Sequence, residues 1–268
     1  MAAMTTLATA AEGDGRRIVL VHGFTQTRDC WSVPDPGRGI DLTAALALDF
    51  EVVRVDAPGH GGSRDIAASV EDSAALLAEL GPAVFVGYSM GARLALRCAL
   101  DAPDAVRGLV LIGATAGIED DAARAERIAA DEVLAERILS IGVDPFLDEW
   151  LAQPMFAGLP SDAVCLGARR TNTAEGLATS LRLAGTGAME PMWGRLAELT
   201  CPVLAITGQR DPRFGALAER IVSSTSGPSI HEVIPGAGHT AHLEQPAIVA
   251  GVLRRWLASL GQGGDQPS

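Results

Sequence analysis

Short apolar runs rich in β-branched residues recur at wide intervals along the chain. They are Ile18-Val19-Leu20-Val21, Val52-Val53-Arg54-Val55, Ala83-Val84-Phe85-Val86, Leu109-Val110-Leu111-Ile112, Val203-Leu204-Ala205-Ile206 and Ile230 to Ile234. Runs of this length, bounded by turn residues, suit strands buried on both faces. Between several of them the apolar positions recur at helical spacing. Residues 69–80 set Val70, Ala74, Leu77 and Ala78 on one face, and 91–101, 214–222 and 246–260 also read as helices. Residues 4–10 read as a further edge strand before the Gly13-Asp14-Gly15 turn. Strand alternating with helix predicts an α/β fold: a mostly parallel sheet flanked by helices.

The alternation stops between 117 and 196. This stretch has a charged helix from Asp120 to Leu139, segments broken around Pro145, Pro154 and Pro160, and another helix near 161–185. A helical insert between two sheet strands predicts a cap. The expected division is a core of 1–116 and 197–260, a helical cap of 117–196, and a polar, disordered tail of 261–268.

Composition narrows the function. The chain has 268 residues, 48% hydrophobic and 20% charged, which is a globular balance. Its net charge is −12, from 33 acids against 21 bases, and every base is arginine. Phosphate backbones and anionic lipid surfaces repel such a chain, so neither nucleic acid nor a membrane is an expected partner. Cys30, Cys98, Cys165 and Cys201 lack metal-binding spacing, so they are expected as free thiols in a reducing cytoplasm, with no metal. No apolar stretch approaches the length of a membrane span, and residues 1–12 lack the basic start of a signal peptide.

One pentapeptide carries chemistry. Gly87-Tyr88-Ser89-Met90-Gly91 follows a predicted strand and precedes a predicted helix. A strand-to-helix turn this sharp leaves no room for side chains beside the serine, and it lifts the hydroxyl above the sheet edge. A serine there needs a base, and the base an orienting acid. Of five histidines, His239 lies in a glycine-rich loop just after a strand, where open α/β sheets place their sites. His242 reads as a packing residue, His231 as part of a strand and His60 as a loop-fixing residue. Asp211 follows the strand at 203–206, so Ser89, Asp211 and His239 fall in the chain order of an α/β-hydrolase triad. Phe24, after the first long strand, and Met90, after the serine, are nominated for the two backbone amides of an oxyanion hole.

The sequence resembles the α/β-hydrolase superfamily along nearly its whole length. More narrowly it resembles the 2-succinyl-6-hydroxy-2,4-cyclohexadiene-1-carboxylate (SHCHC) synthases of menaquinone biosynthesis. Four stretches carry the likeness: VHGFTQT at 21–27, GYSMGARLAL at 87–96, ARRTNTAEGLATSLRLAGTG at 168–187 and LAELTCPVLAITGQRDPRF at 196–214. That family usually has Gly-Gly-Arg after the serine, where this chain has Gly91-Ala92-Arg93. The resemblance implies a lyase that expels pyruvate with Ser89 as base and without a cofactor. It also implies a small polycarboxylate substrate held by arginines, with Arg93, Arg124 and Arg170 at the matching positions and Tyr88 and Trp150 as pocket walls. Arg93 stands one helical turn after Ser89 on the same face. Arg127 competes with Arg124, and Arg169 with Arg170, for the inward position. The alternatives are a serine hydrolase of an ester or C–C bond in a small anionic substrate, and a non-catalytic binding protein of the same fold.

Overall fold

The computed structural model describes residues 6–34 and 41–260. All six apolar runs are strands: β2 (Arg16–Val21), β3 (Phe50–Val55), β4 (Ala83–Tyr88), β5 (Val106–Ile112), β6 (Val203–Gly208) and β7 (Ser229–Ile234). The edge strand β1 spans Thr9–Glu12 rather than 4–10, and positions 4 and 5 lie outside the described residues. Pairing decides its place: Thr9–Glu12 run antiparallel against Val55–Val52, while the Ala8 amide turns away to the Ser63 hydroxyl. The sheet order is β1-β3-β2-β4-β5-β6-β7, parallel except for β1.

Side chains alternate across the sheet with the period of two that a pleated strand imposes. Val19, Val21, Phe85, Leu109 and Leu111 join one buried cluster, with α2 (Val70–Ala78), α3 (Met90–Asp101) and α8 (Pro212–Ser224). Ile18, Leu20, Val86, Val110 and Ile112 join the other, with α1 (Leu42–Ala47) and α10 (Pro246–Ser259). The central strands β4 and β6 are therefore buried at every position, and the unbroken apolar runs mark where both faces of the sheet are covered, while Glu51, Arg54, His231 and Glu232 fall on β3 and β7 nearer the sheet edges. Helix α1 carries no legible periodicity over six residues. Its start is set by Asp41, whose carboxylate accepts from the Thr43 and Ala44 amides.

Between β5 and β6 the described elements are all helical: α4 (Asp121–Ile141), α5 (Val143–Leu151), α6 (Leu166–Arg169) and α7 (Ala174–Ala184), with short 3-10 turns. These helices bury their own small core around Ala135, Ile138, Phe146, Leu177 and Leu181. Two expectations change here. The helix expected over 161–185 is two helices, because Thr173 caps α7 by accepting from the Gly176 amide and Asn172 turns its amide away to other backbone groups. Pro145 does not break the chain but lies in the first turn of α5, where a missing N–H is free of cost. The expected tail at 261–268 lies outside the described residues. No described helix is long and apolar enough to cross a membrane.

Leu96 on α3 is fully buried between helix and sheet. Leu96→Ala is expected to lower unfolding stability by about 2–5 kcal/mol in urea melts, the range for a large-to-small change in a close-packed core.

Candidate active site

Ser89 occupies the turn between β4 and α3 with φ 49°, a left-handed conformation that a non-glycine residue rarely adopts. Its amide donates to the Ile112 carbonyl at 2.8 Å, which ties the turn to the end of β5. Gly87 and Gly91 are required by close approach. A Cβ on Gly87 would lie 2.5 Å from the Ala92 backbone, and one on Gly91 would lie 2.1 Å from the Val21 carbonyl oxygen.

The three expected residues meet at the carboxyl ends of the strands. The Ser89 hydroxyl lies 3.3 Å from His239 Nε2, and His239 Nδ1 donates to Asp211 Oδ2 at 2.8 Å. That bond leaves Nε2 as the acceptor facing serine. Asp211 is itself held at the start of α8, where Oδ1 accepts from the Phe214 amide. The imidazole packs between Phe214, at 4.4 Å between ring centroids, and Tyr88, at 5.5 Å. Neither the Phe24 nor the Met90 amide has a hydrogen-bond partner among the described residues. Thr25, next to Phe24, is also left-handed at φ 66°. Two residues of the insertion hold it: Arg169 donates to its hydroxyl, and the Asn172 amide donates to its carbonyl at 2.8 Å.

Ser89, Met90, Phe24 and His239 open into a cavity of about 870 Å³ beneath the insertion. Arg93 reaches its wall, buried and anchored to the Ala184 carbonyl at 2.9 Å. Burial lowers its pKa to about 10, with Arg127 adding to the shift and Asp131 opposing it. The other expected arginines are placed differently. Arg124 pairs with Asp121 and Glu190 and is not in the cavity wall. One turn further along α4, Arg127 is in the wall, 2.8 Å from the buried carboxylate of Asp131. Arg170 is half exposed and pairs with Asp144, while Arg169 is the buried neighbour that points inward, to Thr25 rather than to the cavity. Tyr88 is buried against His239 and Gly23 and is not in the wall of this cavity. Trp150 does line it, packed on Phe24 at 5.2 Å and on Phe146 at 5.9 Å.

Sequence reasoning passed over Glu244, Arg213 and Arg220. The Glu244 carboxylate is buried and accepts from the amides on both sides of His239, Gly238 at 2.8 Å and Thr240 at 3.1 Å, and from Arg210 at 3.2 Å. Its signal was an acid inside the apolar stretch Ala241-His242-Leu243-Glu244. Arg213, in the first turn of α8, and Arg220, two turns further along it, also line the cavity.

His22, His60 and His242 surround this site. His22 Nδ1 donates to the Gly23 carbonyl and its Nε2 accepts from the Ala57 amide, which fixes a neutral ring. His60 donates to the Pro58 carbonyl, and His242 packs between Trp31 and Tyr88. Burial is the largest cause in lowering all three pKa values, to about 4 for His22 and about 3 for His60 and His242.

Two outcomes follow. Above pH 6.5 these histidines are neutral folded or unfolded. As pH falls from 6.5 towards 4 the unfolded chain binds protons that the folded chain refuses, so stability declines by up to about 1.4 kcal/mol per pH unit for each histidine. Urea midpoints should therefore fall across that window, and His242→Phe should flatten the slope; an unchanged slope would contradict the assignment. Glu244→Ala should cost about 1–3 kcal/mol for each amide left unpaired, and hydrogen exchange should lose protection at Gly238 and Thr240 before the sheet.

A model of the alpha/beta hydrolase family matches residues 18–252. A putative 2-succinyl-6-hydroxy-2,4-cyclohexadiene-1-carboxylate synthase of Bacillus subtilis is 32% identical over 258 residues, covering 91% of this chain and 90% of that protein. The synthase of that name from Klebsiella pneumoniae is 32% identical over 255 residues, covering 90% of this chain and 94% of its own. The solved structure of MenH from S. aureus superposes with a TM-score of 0.85 at 25% identity, over 96% of this chain and 100% of that one. The fold, the order of Ser89, Asp211 and His239, and these relatives agree: the chain belongs to the α/β-hydrolase family, and within it to the SHCHC synthases.

Proposed function

We propose that this enzyme eliminates pyruvate from 2-succinyl-5-enolpyruvyl-6-hydroxy-3-cyclohexene-1-carboxylate to give SHCHC, with Ser89 as the base. The observation that carries the reading is the union of the Ser89–His239–Asp211 chain with a cavity walled by Arg93, Arg127, Arg213 and Arg220. Such a wall suits a substrate bearing several carboxylates, because each guanidinium presents a planar fork that matches a carboxylate.

Asp211 holds His239 with Nε2 towards serine. His239 takes the Ser89 hydroxyl proton as the serine oxygen removes the ring proton beside the succinyl ketone. The electron pair of that C–H bond forms an enolate, whose oxygen lies between the amides of Phe24 and Met90. The enolate then collapses through the ring double bond and breaks the C–O bond to the enolpyruvyl group. The proton held by His239 is delivered to the departing oxygen, and the enol rearranges to pyruvate. Proton transfer of this kind contributes about 10²–10⁴-fold, and an oxyanion donor about 2.7–4 kcal/mol. Arg93 and Arg127 are the proposed carboxylate ligands of the retained ring; Arg124 and Arg170 are tied to surface acids.

Pyruvate release, followed with lactate dehydrogenase and NADH, tests the reading. Ser89→Ala should lower kcat by at least about 100-fold; undiminished release would end the proposal. Arg127→Met should weaken substrate binding by roughly 10–100-fold, the worth of a charge-assisted hydrogen bond, while Arg124→Met stays near wild type. An acyl-Ser89 burst on an activated ester, without pyruvate release from the enolpyruvyl substrate, would identify a serine hydrolase instead.

A further inference from the structure

A second cavity, of about 330 Å³, lies beside the larger one. Arg210 and Asp211 line it and Ser89 does not, whereas Met155, Arg213, Phe214 and His239 line both cavities. His239 thus borders both spaces, with its Nε2 facing Ser89. The cations around the two cavities are not alike. Arg127 bonds Asp131, which also attracts Arg93. Arg220 is paired with Glu119, and Arg210 with the buried Glu244. Arg213 has no carboxylate in ion-pair range among the described residues; its guanidinium rests 5.8 Å from the Phe214 ring centroid, and that ring packs on His239. The smaller cavity's carboxylate, Asp211, is already occupied by His239 and the Phe214 amide. The cavity therefore carries an uncompensated cation one aromatic ring from the imidazole. In a chain of net charge −12, a small anion is retained only where such a local surplus exists.

We propose that the smaller cavity receives the three-carbon 2-oxo acid at elimination and that Arg213 holds its carboxylate as it leaves. This rests on the lyase reading above. The departing oxygen needs the proton on His239, so the leaving group sits on a side of the ring that the imidazole reaches. The retained ring keeps Arg93 and Arg127 in the larger cavity. Its size and the division of cations separate the two products: the bulkier polycarboxylate stays under the insertion, and the small acid moves past Met155 and Phe214.

Product inhibition tests this. Formation of the ring product is measured with added pyruvate and, separately, with added ring product, in wild type and Arg213→Gln. The binding of ¹³C-labelled pyruvate to the resting enzymes is measured by NMR. The expected result is that Arg213→Gln weakens pyruvate inhibition and binding by about 10-fold or more, with inhibition by the ring product unchanged within about twofold. Equal weakening of both products, pyruvate binding indifferent to Arg213, or no pyruvate binding to wild type overturns the inference while leaving the lyase reading intact wherever pyruvate is released. A wild type that releases no pyruvate from the enolpyruvyl substrate overturns both.

Discussion

The left-handed turn at Ser89 is the constraint on which the site depends. It forces three chain segments to within backbone contact: the end of β4, the start of α3 and the end of β2. Only glycine fits at 87 and 91, since any Cβ would enter the Ala92 backbone or the Val21 carbonyl. Strain of this kind persists because the surrounding structure over-determines it. Here the Ser89 amide is bound to Ile112, and α3 is packed by Ala92, Leu94, Ala95 and Leu96 into the sheet. The extra methyl of Ala92, relative to the glycine its family usually has there, is fully buried in that contact. The core therefore aims the hydroxyl, and the Met90 amide, nominated for the oxyanion hole, is aimed by the same turn.

Electrostatics set a second condition. A chain of net charge −12 repels a polyanion at long range, so attraction must come from cations placed where the dielectric is low and screening weak. Arg93 shows the arrangement: it is buried, its pKa falls only to about 10, and it stays charged near neutral pH. Asp131 offsets the mutual repulsion of Arg93 and Arg127, and burial raises its own pKa while Arg127 and Arg93 pull it down. The acid thereby holds two like charges side by side in the cavity wall.

The central strands were legible because parallel strands buried on both faces are apolar along most of their length, and Ser89, Asp211 and His239 were legible because each follows a strand. Side-chain direction on the insertion was not. Arg124 and Arg127 stand three residues apart on α4, and their acids decide between them: Asp121 and Glu190 draw Arg124 outward, while Asp131, at a buried position, receives Arg127. Arg169 and Arg170 differ for a like reason, as Asp144 draws Arg170 to the surface and Thr25 receives Arg169. Glu190 and Thr25 lie 66 and 144 residues from their arginines, so no local pattern announces them. Tyr88 was misplaced by the same blindness: its neighbours Gly23 and His242 come from other strands' ends. Glu244 was visible only as an acid among apolar residues, which names a buried charge but not the two amides that it binds.

The motif ARRTNT at 168–173 acquires a physical meaning from these contacts. Its second and fifth residues, Arg169 and Asn172, do not face the cavity wall; they bind Thr25, and Asn172 also accepts from the Gly61 amide at 2.8 Å. One side chain of the insertion thus joins the loop after β2 to the loop after β3. Thr25 holds a conformation that costs energy outside glycine, and Phe24 beside it supplies the proposed oxyanion amide. The amide's aim is therefore set by how the insertion is seated, not by the sheet alone. The two donors of the proposed oxyanion hole differ in origin: Met90 is held by the core through the serine turn, and Phe24 by the insertion through Thr25.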